Sequence, residues 1–449
     1  MKLVQIKIEN LFNLFTHTIT LNQEERITII TAPNGYGKTI ALKCIHSLFN
    51  MKISFFLKLR FTKIVFLFDD KIEIEIEKIN LRTDEDESEK QKLKFNFKKD
   101  NEIISTVDYP SSKMMIPDKR MIPINRFEDF LPNYIRRIDR EEWIDESTKE
   151  ILTLDDILYR YSDVLPERYL SRFKIRFPKD FSDLLNSLKV YLIQEQRLVL
   201  REPVPENSIH REIVITDTIE KYARELSRLI KDKINNYAEI TQTLDSSFPK
   251  RLFQQTQVTC TTEELKDRLD TLQEKRQKLS EYGFLKSDED SLFSEESIKE
   301  SDTKVLSLYI SDNEKKLEVY DNLIARIDTF TRILNERRFA FKKIEIDKDK
   351  GFSFKSIQDE QLQLTELSSG EQHEVVLLFE LLFKAQENSL VLIDEPEISL
   401  HVVWQLAFLD DIKDIINLKK IDVVIATHSP QIINDDWDLT VNLEDSYNG

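Results

Sequence analysis

Residues 26–49 read RITIITAPNGYGKTIALKCIHSLF. The run Arg26–Thr31 is apolar and β-branched, which favours a buried strand. The stretch Ile40–Phe49 is amphipathic and suits a helix. Between them lies APNGYGKT, residues 32–39, with two of the chain's 6 glycines inside three positions. A chain so poor in glycine spends two on one turn only where the backbone needs them. A strand, a glycine turn ending in Lys-Thr and then a helix is the context a phosphate-binding loop requires. Backbone N–H groups of Asn34, Gly35, Tyr36 and Gly37 would face the phosphates at the helix start. Lys38 is placed to reach the β- and γ-phosphates of ATP, and the Thr39 hydroxyl to bind Mg²⁺. Ala32 stands where such loops usually begin with glycine. It adds only a methyl group, so the loop is expected to work.

Further chemistry lies toward the other end of the chain. Residues 390–395, LVLIDE, are an apolar strand ending in two carboxylates. Asp394 would hold Mg²⁺ through water, and Glu395 would orient and deprotonate the attacking water. Strands often end in acids, so this pair gains its meaning from the phosphate loop. Residues 367–372, LSSGEQ, precede a helix. Ser368, Ser369, Gly370 and Glu371 offer a hydroxyl and N–H groups at a helix N-terminus, which suits an anion. The bland reading of the same residues is an N-cap with Ser and Glu in a capping box. Thr427–Pro430 (THSP) follows the strand Val423–Ala426 and places His428 at its end. The short strand Val190–Ile193 ends in Gln194 and Gln196.

The remaining pattern gives the organisation. Leu3–Ile8, Thr18–Leu21, Ile64–Phe68, Ile72–Ile76 and Leu93–Phe97 read as strands, and Arg82–Lys92 as an exposed charged loop. Residues 126–188 read as helical with scattered proline. From Ile213 to Leu334 the chain is long, polar and helical. Ile215, Ile219, Tyr222, Leu226 and Leu229 make one apolar row. Leu265, Leu269, Leu272 and Leu279 make a second. Leu317, Tyr320, Ile324, Ile327 and Leu334 make a third. Such stripes favour helical hairpins or a short coiled coil, packed on one another or on partner helices. Asp288–Ser301 reads as a loop between the last two. Strands return at Phe341–Ile346 and Phe352–Ser356. Helix, strand, helix, strand then follow at 371–385, 390–393, 402–416 and 423–427, the signature of a parallel α/β sheet. The expected fold is an α/β P-loop ATPase head split by a helical insertion. It divides into lobe I (1–200, with a helical subinsertion at 126–188), the insertion (201–335) and lobe II (336–449).

The 449 residues carry 33% charged side chains and a formal net charge of -17. Phosphate backbones repel such a chain overall, which argues against dedicated non-specific DNA binding. Cys44 and Cys260 form neither a metal cluster nor a disulfide framework, consistent with a reducing compartment. The N-terminus lacks the apolar core of a signal peptide, and no run approaches membrane-spanning length. The expected location is the cytoplasm.

Taken in chain order, these motifs resemble those of ABC-type ATPases. LSSGEQ is similar to the LSGGQ signature, with Ser369 in place of one glycine. Glu397–His401 resembles the D-loop, and His428 matches the switch histidine that contacts the γ-phosphate. Gln196, with Gln194 as the alternative, fits the Q-loop that senses Mg²⁺ and the attacking water. The resemblance implies catalytic roles for Glu395, His428 and Gln196, and metal contacts for Thr39, Asp394 and Gln196. It also implies that two copies close head-to-tail, each signature serving its neighbour's nucleotide. The split head resembles the SMC, RecF and OLD group, and DEPEISLH and ATHSPQII look most like OLD-type ATPases of phage defence. The insertion has no CxxC pair for a zinc hook and is too short for an SMC arm. The layout resembles the ATPase subunit (AriA) of PARIS anti-phage systems, with Septu-like and retron-linked ATPases similar. That family implies a homo-oligomer, even a hexamer, holding a separate Toprim-type effector nuclease until a viral trigger protein arrives. The alternative is a DNA-repair ATPase of the RecF/SMC kind, and whether DNA binds stays open.

Overall fold

The structure is a computed structural model. It describes residues 1–81, 90–109, 130–131, 134–139, 142–146, 151–154, 157, 161, 179–195, 197–203, 213–254, 261–285, 303–398 and 400–444. The chain divides into two compact units. One comprises Met1–Glu195, Ala385–Ile398 and Lys419–Gly449; the other comprises Gln196–Lys384 and Ser399–Leu418. The three-part division read from the sequence does not map onto these units one to one. Residues 336–384 group with the insertion, while 385–398 and 419–449 group with the N-terminal segment.

In the first unit, five strands form a parallel sheet. They are β3 (Ile27–Thr31), β11 (Val190–Ile193), β17 (Leu390–Asp394), β18 (Asp422–Thr427) and β19 (Thr440–Asn442), in the order β11-β17-β18-β3-β19. Every residue of β17 is buried. A central parallel strand is covered on both faces, so a continuous apolar run suits it. Helix α1 (Lys38–Phe49) leaves the loop after β3 and packs on β11, β17 and β18. A second, antiparallel sheet holds β1 (Leu3–Leu11), β2 (Phe15–Thr20), β4 (Lys63–Phe68), β5 (Ile72–Leu81), β6 (Lys90–Lys99) and β7 (Glu102–Tyr109). Its strands alternate, as in β4 with Ile64, Phe66 and Phe68 buried, because only one face meets the core. One core joins both sheets through Ala41, Leu42, Cys44, Ile45 and Leu48 of α1.

Within 126–188, the described residues of 135–153 depart from the helical reading, while Lys179–Ser187 agrees with it. Among those described, β8 (Ile135–Asp139), β9 (Glu142–Asp145) and β10 (Ile151–Thr153) form an antiparallel sheet around the fully buried Trp143. Helix α3 (Lys179–Ser187) closes this span, α2 (Ser54–Lys58) having come earlier in the chain. Short apolar runs fit either structure, and here cross-strand packing decided. The loop expected at 288–301 lies outside the described residues.

In the second unit, the start of the insertion is a hairpin and not a helix: β12 (Val199–Pro203) pairs with β13 (Ile213–Asp217). Ile215 therefore belongs to a strand and drops out of the first helical row. Three long helices follow: α4 (Thr218–Gln254), α5 (Thr262–Glu281) and α6 (Thr303–Arg332). Helix α6 packs against both others. The rows are buried, with Ile219, Tyr222, Leu226 and Ile230 of α4, Leu265, Leu272 and Leu279 of α5, and Leu317, Tyr320 and Ile327 of α6 all inside: Tyr222 stacks on Phe379 at 4.5 Å, Leu265 packs with Leu306 and Ile310 of α6, and Tyr237 of α4 lies against Tyr320. Flanking ion pairs join the helices, with Arg251 at 2.5 Å from Asp312 and Arg268 at 2.6 Å from Glu314. A π-helical turn, residues 333–338, extends α6 and delivers Arg338 into the interior. Its guanidinium meets Glu374 at 2.8 Å on α7 (Ser369–Phe379) and Asp411 on α9 (Phe408–Lys419), which follows the short α8 (Val402–Leu406). A buried cation shared by two carboxylates is costly to break, so the end of the insertion is anchored to the helix that carries the LSSGEQ motif. Among the described residues, no helix is long and apolar enough to cross a membrane.

A further sheet in this unit contains β14 (Lys342–Asp347), β15 (Gly351–Ser356) and β16 (Gln361–Leu362). The β14–β15 turn rests on α4, where Ser227 Oγ donates to the Lys348 and Asp349 carbonyls at 2.8 and 2.9 Å. Gly351 has φ +82°, and a Cβ there would lie 1.8 Å from the Ala223 carbonyl oxygen. Gly283 has φ +71° but open space around its missing Cβ. Gly351→Ala should therefore cost about 3 kcal/mol or more, from backbone strain plus overpacking. Gly283→Ala should cost about 1 kcal/mol, from strain alone. Denaturant unfolding of the two variants checks this, and equal losses would contradict the close packing.

Candidate nucleotide site

The parallel sheet gathers the motifs by topology. Because its strands run the same way, the carboxyl ends of β11, β17, β18 and β3 share one edge. The register pairs Asp394 with Ala426 and Thr427 with Thr31. The phosphate loop, Asp394–Glu395 and His428 therefore leave the sheet side by side. Ligands of open α/β sheets bind at this edge.

The loop is shaped for close approach. Gly35 and Gly37 have φ +92° and +91°, conformations that L side chains rarely adopt. A Cβ at Gly37 would also lie 2.8 Å from Leu11 Cδ2. Lys38 opens α1 and is buried, its ammonium donating to the carbonyls of Ala32 at 2.8 Å and Pro33 at 3.4 Å. Asn34 and Gly35 are exposed; Tyr36, Gly37 and Thr39 are half-buried. His17 was not read from the sequence as part of the site. It is fully buried under the loop, with Nε2 2.8 Å from the Tyr36 carbonyl oxygen. A carbonyl only accepts, so Nε2 carries the proton. The signal for His17 was the period of β2, which sets Phe15, His17 and Ile19 on one buried face.

Thr39 Oγ1 donates to Asp394 Oδ1 at 2.9 Å. Burial pushes the Asp394 carboxyl above its ordinary value, against the opposing pull of Thr39, Lys43 and Lys38, while Glu195 adds to the rise. Thr39 and Asp394 are hard oxygen donors, the kind Mg²⁺ takes alongside water and substrate phosphates. The residues present thus fit that ion. Glu395 stands beyond the strand at φ 44°, its backbone N–H donating to Ala426 at 2.9 Å. Pro396 follows and disfavours the right-handed helical region for Glu395. Burial, then the Glu397 charge, raises the Glu395 carboxyl, while His428 and Lys38 lower it. His428 Nδ1 lies 3.8 Å from Glu395 Oε1 and 3.1 Å from Glu397 Oε1. Glu397 entered the sequence reading only as part of a D-loop-like stretch. Its closeness to His428 was not legible in a one-dimensional motif.

Gln194 is exposed at the end of β11, and Gln196 lies outside the described residues. Ser368, Ser369, Gly370 and Glu371 belong to the second unit. There they form the capping box: Ser368 Oγ accepts from Glu371 N at 3.3 Å, and Glu371 Oε2 accepts from Ser368 N at 2.7 Å. Lys342 lies 2.6 Å from the same Glu371 oxygen. The capping role and an anion-binding role use different atoms, since the Ser368 hydroxyl hydrogen is left to donate.

The chain is 37% identical over 95 residues to protein ea59 of Escherichia phage lambda, a match that spans 21% of this chain and only 18% of ea59. Similar solved structures include the Smc head domain with an extended coiled coil, bound to the C-terminal domain of ScpA, from Pyrococcus furiosus. It shows 13% identity and a TM-score of 0.35, covering 96% of this chain and 90% of that one. The SmcHead bound to the C-winged helix domain of ScpA shows 11% identity and a TM-score of 0.35, covering 96% and 91%. Residues 1–433 match one protein family across nearly the whole chain, and the chain accordingly belongs to the AAA ATPase domain family.

Proposed function

We propose that the chain binds ATP with Mg²⁺ and hydrolyses it, and that two copies close head-to-tail around the nucleotide. One observation carries the reading. Lys38, the Thr39–Asp394 pair, Glu395 and His428 converge on one edge of a single parallel sheet. Lys38 would exchange the Ala32 and Pro33 carbonyls for phosphate oxygens. Thr39 and Asp394 would hold the ion, which neutralises phosphate charge when bound. Glu395 would take the proton of the attacking water, and its raised affinity for a proton makes it a better base. His428 would contact the γ-phosphate. Gln196, or Gln194, would sense the ion and the water. Ser368 and Gly370 would act on the neighbour's nucleotide, as the ABC-type signature does.

In the cell, the reading is a nucleotide-gated sensor and scaffold of anti-phage defence in the cytoplasm. It would hold a separate Toprim-type nuclease and release it when a viral protein binds. The wording of DEPEISLH and ATHSPQII and the short insertion support this. The net charge of -17 speaks against the RecF/SMC-like DNA-repair alternative. The described apolar stripes of the insertion do not argue for partner helices, since they are buried within the chain, Tyr222 on Phe379 and Leu265 on Leu306 and Ile310.

Glu395→Gln keeps shape but removes the base, so turnover should fall on the order of a hundredfold or more while ATP stays bound. Light scattering on that trapped protein in ATP should give a dimer or larger. Lys38→Ala should lose both binding and assembly. Wild-type turnover in Glu395→Gln, or a strict monomer in ATP, would contradict the reading. For the cellular role, affinity purification of the tagged chain from cells expressing the neighbouring genes should recover a nuclease. Tight binding of duplex DNA at physiological salt, with no nuclease recovered, would favour repair.

A further inference from the structure

Glu397 lies two residues past Glu395 and has no part in the reaction as described, yet its side chain is only 6% exposed. Three donors from the end of β18 converge on its Oε1. The Thr427 hydroxyl donates at 2.7 Å and the His428 backbone N–H at 2.9 Å. His428 Nδ1 lies at 3.1 Å. An ionised carboxylate oxygen only accepts, so Nδ1 must carry a proton for this contact to be favourable. The Thr427 hydroxyl oxygen in turn accepts from the Ser429 N–H at 3.0 Å, which closes the turn around the ring. The other carboxylate facing the ring, Glu395, is farther from Nδ1 at 3.8 Å.

A histidine's second nitrogen is set by what the first one bonds. With Nδ1–H held by Glu397, Nε2 is the ring atom left for a ligand, and the ring is 48% exposed. From this geometry we infer that Glu397 is a positioning residue, which fixes the Nδ1–H form and the facing of His428 so that Nε2 meets the nucleotide. The last step rests on the ATPase reading; the tautomer does not. A merely structural Glu397 would cap the turn through Thr427 and the His428 amide and leave the ring's tautomer alone.

The test has two arms. In the first, protein labelled with ¹⁵N-histidine is examined by NMR without nucleotide, with His428 assigned by its loss in His428→Ala. Wild type should show Nδ1 protonated, and Glu397→Gln should shift His428 toward the Nε2–H form. An Nε2–H majority in wild type, or no change in Glu397→Gln, overturns the inference. In the second arm, Glu397→Gln should lower kcat on the order of tenfold, as loss of a partner that orients a histidine does, with KM for ATP within about twofold. The double variant Glu397→Gln/His428→Ala should be no slower than His428→Ala alone. Additive losses would mean that Glu397 acts by another route. A wild-type protein that hydrolyses no ATP would refute the ATPase reading, and the NMR arm would still decide the role of Glu397.

Discussion

The hydrogen bond from Thr39 Oγ1 to Asp394 Oδ1, 2.9 Å long, ties the first turn of α1 to the end of β17 across 355 residues of sequence. The rest of the site depends on this tie. It fixes where the helix that closes the phosphate loop begins, relative to the strand that delivers the carboxylates. It also keeps two hard oxygens together beside a buried ammonium. Burial makes the Asp394 charge unfavourable in the free protein. A site that holds a desolvated carboxylate in this way gains when a cation arrives.

The parallel sheet does the remaining alignment. A chain that returns to the same edge after β11, β17, β18 and β3 presents four loop starts there, whatever lies between them in sequence. The intervening segments are thus free to differ. The second unit is built from Gln196–Lys384, between β11 and β17, together with Ser399–Leu418, between β17 and β18, which carries most of α9. Within that unit, Arg338 binds Glu374 and Asp411, so the end of the insertion and the motif-bearing helix α7 share one buried charge network. Displacing either helix exposes a charge to an apolar interior, which makes the pair move as one body.

Much of this was legible in the residues. RITIIT within the 26–49 stretch and the LVLID strand are short apolar runs bounded by turn signals, and the rows from Ile219 onward keep the helical period. The described residues of 135–153, read as helical, form strands instead, because short apolar runs carry no decisive period. Ile215 kept helical spacing with Ile219 yet sits in a hairpin, since pairing with Arg201 outweighed propensity. At the site, Lys38, Thr39, Asp394 and Glu395 stand next to motif glycines and strand ends, where sequence is most informative. His17 and Glu397 were harder to see because their roles are contacts made across the fold. The Tyr36 carbonyl that His17 holds and the His428 ring that Glu397 holds are 19 and 31 positions away.

The central claim is that Thr39 and Asp394 form a metal-and-nucleotide site only together. Manganese uptake, followed by loss of the free-ion EPR signal, tests it most directly. The account predicts that wild-type protein takes up Mn²⁺ when ATP is present and not without it. It predicts the same loss of uptake in Thr39→Val and in Asp394→Asn. Uptake that is independent of ATP, or that survives removal of either oxygen, would contradict it.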